Sequence, residues 1–169
     1  MKANFDTTFA EILKSEGGYV NNPRDKGGAT NKGVTQVVYD EYRRKQGLPL
    51  QSVRGISVRE AGHIFRDGYW DAVNADNLPD GVDYAVVDFA YNSGSNRAAR
   101  FLQSALGITT DGRIGPKTVA AIKDEQGTIG ALMNKRRAFL RDLHNFDEFG
   151  KGWLARCEHV ERMALEMAV

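Results

Sequence analysis

The most informative part of the sequence is the stretch EGGYVNNPRDKGGATNKGVT, which runs from Glu16 to Thr35. Before it, apolar residues recur at helical spacing between Phe5 and Leu13, so a helix is expected to lead into the stretch with Glu16 in its last turn. Two glycines would then end that helix, because glycine readily adopts the left-handed conformation that follows many helices. The glycines, asparagines and proline further on favour turns and a short hairpin over a long helix.

The same stretch holds two carboxylates in different surroundings, which is what glycoside hydrolysis requires. One carboxyl group must be protonated to donate to the leaving oxygen, and the other must be ionised. Glu16 is expected against apolar side chains that disfavour its charged form, whereas Asp25 lies on a polar turn between Arg24 and Lys26. The spacing alone is weak evidence, because a solvated carboxylate at a helix end and an ordinary turn aspartate would give the same pattern.

A hydroxyl group completes this set of candidate catalytic residues. Thr30 follows Asp25 by five residues and precedes the sequence NKG, as expected of a hairpin strand facing Glu16. Thr35 is the competing hydroxyl, but its place directly before a helical segment favours a role as the N-cap of that helix.

The remainder of the chain is predicted to be mainly α-helical, with about seven or more helices and one small β-hairpin. Ser57 and Glu60 have capping-box spacing, and Pro116 suits the first position of a helix. After the helix that ends at Glu16, the predicted helices cover residues 36–46, 57–70, 84–93, 96–106, 116–125, 129–144 and 152–168, with Thr128 opening the one before last. The length fits a single compact domain over residues 1–169.

The composition excludes several classes of protein. With 169 residues, 41% hydrophobic and 27% charged, the chain is neither a disordered protein nor a coiled-coil rod. It has no apolar run long enough to cross a membrane. A single cysteine, Cys157, excludes an internal disulfide and a cysteine-built zinc site, and we expect no metal, no cofactor and no chemical role for this thiol. A net charge of +1 argues against a dedicated nucleic-acid binder.

Positive charge is nevertheless concentrated in residues 97–144, which contain nine Lys/Arg and four Asp/Glu. Such a segment either faces an anionic polymer of the cell wall or is an ordinary solvated helical surface. The basic residues expected to contact the wall in the first case are Lys117, Lys123, Lys135, Arg136, Arg137 and Arg141.

Three collinear segments resemble glycoside hydrolase family 108, the endolysins and N-acetylmuramidases of phages and their bacterial relatives. The first is the stretch from Glu16 to Thr35, and the second is GYWDAVNADNLPDGVDYAVVDFAYNSG, residues 68–94. The third, LQSALGITTDGRIGPKTVAAI, residues 102–122, is similar to the peptidoglycan-binding region of the same proteins. The resemblance covers roughly residues 5–141. It implies a lysozyme-like fold in which a catalytic segment, about residues 5–95, packs with a peptidoglycan-binding-like region, about residues 96–169.

The resemblance implies hydrolysis of the β-1,4 bond between N-acetylmuramic acid and N-acetylglucosamine in peptidoglycan, with Glu16 as the catalytic acid. Phage-type lysozymes show a glutamate, eight residues, an acid, five residues and a threonine. Glu16 and Asp25 enclose eight residues, whereas Asp25 and Thr30 enclose four, one fewer than that pattern. Asp25 and Thr30 are expected to hold water or to balance the positive charge of the transition state.

Substrate contacts are expected from Tyr19, Tyr91 and Asn92. Both tyrosines would stack on sugar rings, and Tyr19 is assigned to the groove, whereas Trp70 is assigned to the core. Asn92, near the end of an apolar helix, would bind a sugar amide or satisfy carbonyls at the helix end. The turn at residues 111–116 resembles that of cell-wall-binding modules, although its glycines and proline alone explain a tight turn.

The resemblance also implies a partner and a place of action. Peptidoglycan strands are the expected partner of a monomer that neither binds nucleic acid nor inserts stably into a membrane. The start of the chain lacks the apolar stretch of a secretory signal, so synthesis in the host bacterial cytoplasm and action on the periplasmic wall after release are expected, as for a phage or prophage endolysin. A lytic transglycosylase and a catalytically silent wall-binding or secretion-accessory protein are the alternative functions.

Overall fold

The computed structural model describes residues 2–21 and 28–169, the latter including all elements after the first helix. The described part of the chain contains eight α-helices and one two-stranded antiparallel sheet, which confirms the mainly α prediction. The strands are β1 (Thr30–Asn31) and β2 (Val34–Thr35). The helices are α1 (Lys2–Ser15), α2 (Gln36–Lys45), α3 (Val58–Phe65), α4 (Val82–Ser93), α5 (Ser95–Ala105), α6 (Pro116–Ala121), α7 (Glu125–Arg141) and α8 (Phe146–Met167).

The chain folds as two compact units. The hairpin unit comprises Phe9–Gly68, and the helical unit comprises the chain up to Thr8 together with Tyr69–Val169. None of the helices in the described residues combines the length and the apolar run needed to cross a membrane.

The hairpin unit has a small apolar core between the hairpin, α2 and α3. Its buried members are Val34, Tyr39, Val53, Ile56, Ala61 and Ile64, with Phe9, Ala29 and Tyr42 packed against them. Local signals in the sequence determine where its helices begin. Thr35 caps α2 by accepting from the Val38 N–H, and Ser57 and Glu60 form the predicted capping box of α3. Both predictions are therefore confirmed.

The helical unit is built around α4. Every residue of α4 from Val82 to Ala90 is buried, and α5, α7 and α8 pack against this helix. Trp70 is fully buried in the same unit, where its ring meets Phe5 edge-on and its indole N–H donates to Asp76 Oδ1 at 2.9 Å. The assignment of Trp70 to the core is therefore confirmed.

Two helices of the helical unit begin at least four residues earlier than predicted. The N-terminus of α7 lies at Glu125 rather than near Thr128, because the Asp124 side chain accepts from the Gly127 N–H and caps the helix there. The helix α8 begins at Phe146 rather than Gly152, so Gly150 lies inside it and is buried against the Phe146 ring. Tertiary packing there outweighs the low helix propensity of glycine.

A third predicted helix is interrupted. The segment expected as one helix over residues 57–70 is α-helical only as far as Phe65 and continues as a π-helical turn over Arg66–Trp70. Two 3₁₀ turns, Asp71–Val73 and Ala75–Asn77, then lead to α4.

Candidate active site

Glu16 is the first residue after α1, one position beyond the predicted last turn. Its backbone N–H donates to the carbonyls of Ile12 at 3.1 Å and Leu13 at 3.3 Å, so the backbone at Glu16 is anchored to the helix end. The side chain is partly buried. Among the described residues, no group forms a hydrogen bond with its carboxylate. With respect to the described residues, the Glu16 carboxylate is therefore available to contact a ligand.

The hairpin that follows is set by its turn. Lys32 and Gly33 have φ values of 50° and 74°, the left-handed pair that a two-residue hairpin loop requires and that glycine adopts easily. The register pairs Thr30 with Thr35 and Asn31 with Val34. This register determines which side chains share a face of the hairpin.

One face of the hairpin is packed and the other carries the candidate hydroxyls. Asn31 and Val34 are buried, and Asn31 Nδ2 donates to the carbonyls of Val53 at 3.2 Å and Arg54 at 3.0 Å. Because side chains alternate along a strand, Thr30 and Thr35 lie together on the opposite face. Directly opposite residues of an antiparallel pair are close enough for their side chains to interact.

The chain after Glu16 is joined directly to this hairpin. Val20 and Thr30 exchange two backbone hydrogen bonds, each 2.8 Å long, and so form an isolated antiparallel β-bridge beside β1. Only three residues separate Glu16 from Val20, so the two Cα atoms lie at most about 14 Å apart. The bridge therefore ties the helix end that carries Glu16 to the strand that carries Thr30. Asp25 belongs to the segment between Val20 and Thr30 and lies outside the described residues.

The two threonine hydroxyls differ in their engagement. Thr35 Oγ1 accepts from the Val38 N–H at 3.4 Å as the cap of α2. Thr30 Oγ1 makes no hydrogen bond with the described residues. The contacts therefore favour Thr30 over Thr35 as the hydroxyl available to substrate or water.

Tyr19 is placed where it can meet a ligand. Its side chain is 36% exposed, and the guanidinium of Arg54 lies 4.9 Å from its ring centroid. Arg54 was not found by sequence reasoning, because no local pattern connects two residues so far apart in the chain. The contact favours this orientation of the Tyr19 ring.

The other two predicted substrate residues belong to the helical unit. Tyr91 is partly buried and meets Tyr69 edge-on with ring centroids 5.0 Å apart. Asn92 is exposed, and its Nδ2 donates to the Asp88 carbonyl at 2.7 Å. Of the two interpretations of Asn92, this contact supports the one in which its amide satisfies a carbonyl near the helix end.

A buried charge cluster that the sequence did not reveal lies beside Asn92. Asp88 is 1% exposed, and its two carboxylate oxygens accept from Arg136 Nη1 at 2.7 Å and Arg156 Nη2 at 2.6 Å. Arg136 is itself only 2% exposed. The expectation that Arg136 presents its charge to the wall is therefore wrong, because that charge is paired inside the helical unit. Arg137, also expected to face the wall, forms an ion pair with Glu161.

The turn at residues 111–116 is built around a buried side chain. Gln103 Nε2 donates to Asp111 Oδ1 at 2.7 Å and to the Arg113 carbonyl at 3.0 Å, and the Gly112 N–H donates to Gln103 Oε1 at 2.9 Å. These bonds explain the turn as a structural feature of the helical unit.

Within the described part of the chain, no three His, Cys, Asp or Glu side chains converge as metal ligands. Cys157 is buried, which raises the pKa of its thiol.

A mainly α fold in which a glutamate follows a helix and is tied to a small hairpin is the arrangement of lysozyme-like glycoside hydrolases. Comparison with protein families agrees. The model of "Glycosyl hydrolase 108" matches residues 9–94, and that of a "Predicted Peptidoglycan domain" matches residues 97–158. The chain belongs to the glycosyl hydrolase 108 family and is a peptidoglycan hydrolase, which confirms the resemblance seen in its sequence.

Comparison with solved structures finds a protein that is similar over the whole chain. The structure titled "Structure of Brucella abortus SagA" is 38% identical in sequence and superposes with a TM-score of 0.84, covering 99% of this chain and 97% of that one. A search among curated proteins returned no significant match.

Proposed function

We propose that the chain is an N-acetylmuramidase that cleaves the β-1,4 bond between N-acetylmuramic acid and N-acetylglucosamine, with Glu16 as the general acid. The observation that carries the proposal is the placement of Glu16. It lies within the residues matched by the glycosyl hydrolase 108 model, directly after α1, and four residues before the bridge that pairs Val20 with Thr30.

In this proposal, protonated Glu16 donates to the glycosidic oxygen as the bond from C1 of N-acetylmuramic acid breaks. Asp25 and Thr30 hold the water that attacks C1 from the opposite face, and Asp25 accepts the proton that this water loses. The product would then have inverted configuration at C1. The engagement of Thr35 in capping α2 supports Thr30 as the hydroxyl that shares the water.

Tyr19 would supply the apolar face on which a sugar ring of the strand stacks, with Arg54 holding the tyrosine in place. Tyr91 and Asn92 are proposed as further contacts of the peptidoglycan substrate, with Asn92 acting through its amide oxygen because its Nδ2 donates to the Asp88 carbonyl. We further propose that the protein acts as a phage-type endolysin, made in the bacterial cytoplasm and acting on the periplasmic wall after release, as a monomer. The peptidoglycan substrate supports that place of action.

Digestion of purified peptidoglycan tests the proposed bond specificity. The products are reduced with borohydride and identified by mass spectrometry, with Glu16→Gln as the inactive reference. A muramidase leaves N-acetylmuramic acid at the reducing end, which borohydride converts to its alcohol. Reduced N-acetylglucosamine ends would instead indicate a glucosaminidase. Products that lack one water and resist reduction would indicate a lytic transglycosylase, and the absence of fragments would indicate a protein that only binds the wall.

A further inference from the structure

The hairpin unit contains an arginine whose charge is not compensated by the described residues around it. Arg54 is exposed in a 3₁₀ turn, Val53–Gly55, and its guanidinium makes no hydrogen bond or ion pair with the described part of the chain. The contact that it does make is with the Tyr19 ring, whose centroid lies 4.9 Å away. The N–H donors of this guanidinium are therefore available to a ligand.

The backbone of Arg54, in contrast, is anchored to the hairpin. Ser52 Oγ accepts from the Arg54 N–H at 3.2 Å, and the Arg54 carbonyl accepts from Asn31 Nδ2 at 3.0 Å. Asn31 is buried and follows Thr30 in β1. Arg54 is therefore held beside the strand that carries the candidate hydroxyl, while its charged end is exposed.

A second cation of the hairpin is used differently. Lys32 lies in the turn between β1 and β2 and is partly buried, and its Nζ donates to the Ile56 carbonyl at 3.0 Å. That bond ties the hairpin turn to the chain that follows Arg54. Of these two cations, Arg54 is the one whose charged group has no hydrogen bond with the described residues.

The charges of this part of the sequence favour an anionic substrate. The stretch from Glu16 to Thr35 contains three Lys/Arg and two carboxylates, Glu16 and Asp25, and residues 51–57 add Arg54 and no acid. In the proposed mechanism Glu16 is protonated and therefore neutral before it reacts. The remaining positive charge attracts a negatively charged group.

The contact with Tyr19 places the guanidinium beside the ring proposed to stack on a sugar. Arg54 lies over one face of this ring, so a sugar would stack on the other face. A carboxylate that projects from that sugar past the edge of the ring would come within reach of Arg54, and arginine binds carboxylates through two parallel hydrogen bonds. N-acetylmuramic acid has such a substituent, because its lactyl group ends in a carboxyl group that is either free or joined to a stem peptide with carboxylates of its own. N-acetylglucosamine has none.

We propose that Arg54 determines specificity by binding a carboxylate carried on the lactyl side chain of the N-acetylmuramic acid that stacks on Tyr19, either the lactyl carboxylate itself or one in the attached peptide. The proposal rests on the proposed function, because its ligand is the substrate of the muramidase. It adds that a charged contact in the hairpin unit selects N-acetylmuramic acid over N-acetylglucosamine at this position.

Binding of glycan strands with and without this negative charge tests the proposal. Strands freed of peptide by an amidase carry lactyl carboxylates, and carbodiimide coupling to methylamine converts these into neutral amides. A second pair consists of peptide-bearing strands before and after the same coupling. Affinities are measured by isothermal titration of the full chain carrying Glu16→Gln, which is expected to leave the strands intact. We expect the charged strand of at least one pair to bind about tenfold more tightly than its neutral counterpart.

Two arginine variants in the same background separate Arg54 from general surface charge. Arg54→Gln should lower the preference for the charged strand roughly tenfold, because a hydrogen-bonded ion pair is lost. Arg59→Gln removes the same charge from an exposed site on α3 and should leave the preference unchanged. Any preference that the helical unit contributes is common to both variants, and their melting temperatures verify that they are folded.

The same preference in Arg54→Gln and Arg59→Gln, in both pairs of strands, would overturn the proposal. Equal losses of affinity for charged and neutral strands in Arg54→Gln would also overturn it, because Arg54 would then only position Tyr19. The pair that responds identifies which carboxylate is bound. Failure of the muramidase proposal is detected separately, in the products of the wild-type digestion, because these titrations do not require cleavage.

Discussion

Replacing Asp83 with asparagine should make the protein more stable at neutral pH. Asp83 is fully buried near the start of α4, and this burial raises the pKa of its carboxyl group to about 6 from the ordinary 3.8, against the opposing hydrogen bonds of Asn4 and the Tyr84 N–H. Between these two values the folded state binds more protons than the unfolded state, so the contribution of Asp83 to the free energy of unfolding falls as pH rises through that window.

The pKa difference sets an upper limit of about 3 kcal/mol on the change in the free energy of unfolding. Asparagine has no charge to bury and can still accept from the Tyr84 N–H. Asp83→Asn should therefore match the wild type near pH 4 and exceed its free energy of unfolding by up to about 3 kcal/mol at pH 7.5. Urea unfolding of both proteins across this pH range gives the difference directly.

Asp147→Asn provides a matched control, because Asp147 is also the second residue of its helix but is exposed. Its free energy of unfolding at pH 7.5 should be lower than that of the wild type by about 0.3–1 kcal/mol, since a negative charge near a helix N-terminus is favourable. The reasoning would be refuted if Asp83→Asn had a lower free energy of unfolding than the wild type, by the same amount at pH 4 and at pH 7.5. Burial would then not raise the pKa of the Asp83 carboxyl group.

Three further predictions concern packing, charge and stereochemistry. Gly81 has a φ of 81° and faces the Ala164 carbonyl, so Gly81→Ala should lower the free energy of unfolding by about 2–5 kcal/mol in urea unfolding. Gly107 has a φ of 68° but open space around it, so Gly107→Ala should lower it by only about 1–2 kcal/mol. Equal losses in the two variants would contradict the steric argument. Asp88→Ala should cost about 3–5 kcal/mol because it leaves the Arg136 charge buried and unpaired, and a loss below about 1 kcal/mol would mean that the pair is dispensable. Proton NMR of the first product anomer should show the α-anomer, and a β-anomer would refute inversion.

Much of the fold follows from local signals in the sequence. The caps at Thr35 and Ser57 and the proline that begins α6 act through contacts within one turn of chain, so the sequence alone predicts them. The burial of α4 could also be predicted, because a strongly apolar helical segment such as YAVVDFAYNS, residues 84–93, is stable in a core.

Features that depend on distant residues could not be predicted in this way. The glycine at position 150 argues against a helix locally, yet packing against Phe146 places it within α8. Arg136 resembles a surface residue in a basic segment, and only the approach of α4 brings Asp88 to it, 48 residues away in the chain. Sequence patterns do not report on such pairings.

The candidate site shows the same division. Glu16 and the hairpin were predicted from the helix signal, the two glycines and the NKG turn, all of which are local. The bridge between Val20 and Thr30 and the contact between Arg54 and Tyr19 were not, because each joins segments that no periodicity relates. The catalytic roles of Glu16, Asp25 and Thr30 stay predictions.

The activity of Glu16→Gln on purified peptidoglycan tests the central claim most directly. The amide has nearly the same shape but no proton to give to the leaving oxygen, and loss of a positioned acid typically lowers the rate by about 10²–10⁴-fold. Glu41→Gln, an exposed residue of the same unit that pairs with Lys45 at 2.9 Å, should retain activity as the control. The account predicts at least a hundredfold loss for Glu16→Gln with an unchanged melting temperature; a variant that kept even a tenth of the wild-type turnover would contradict it and would place the acid on another carboxylate.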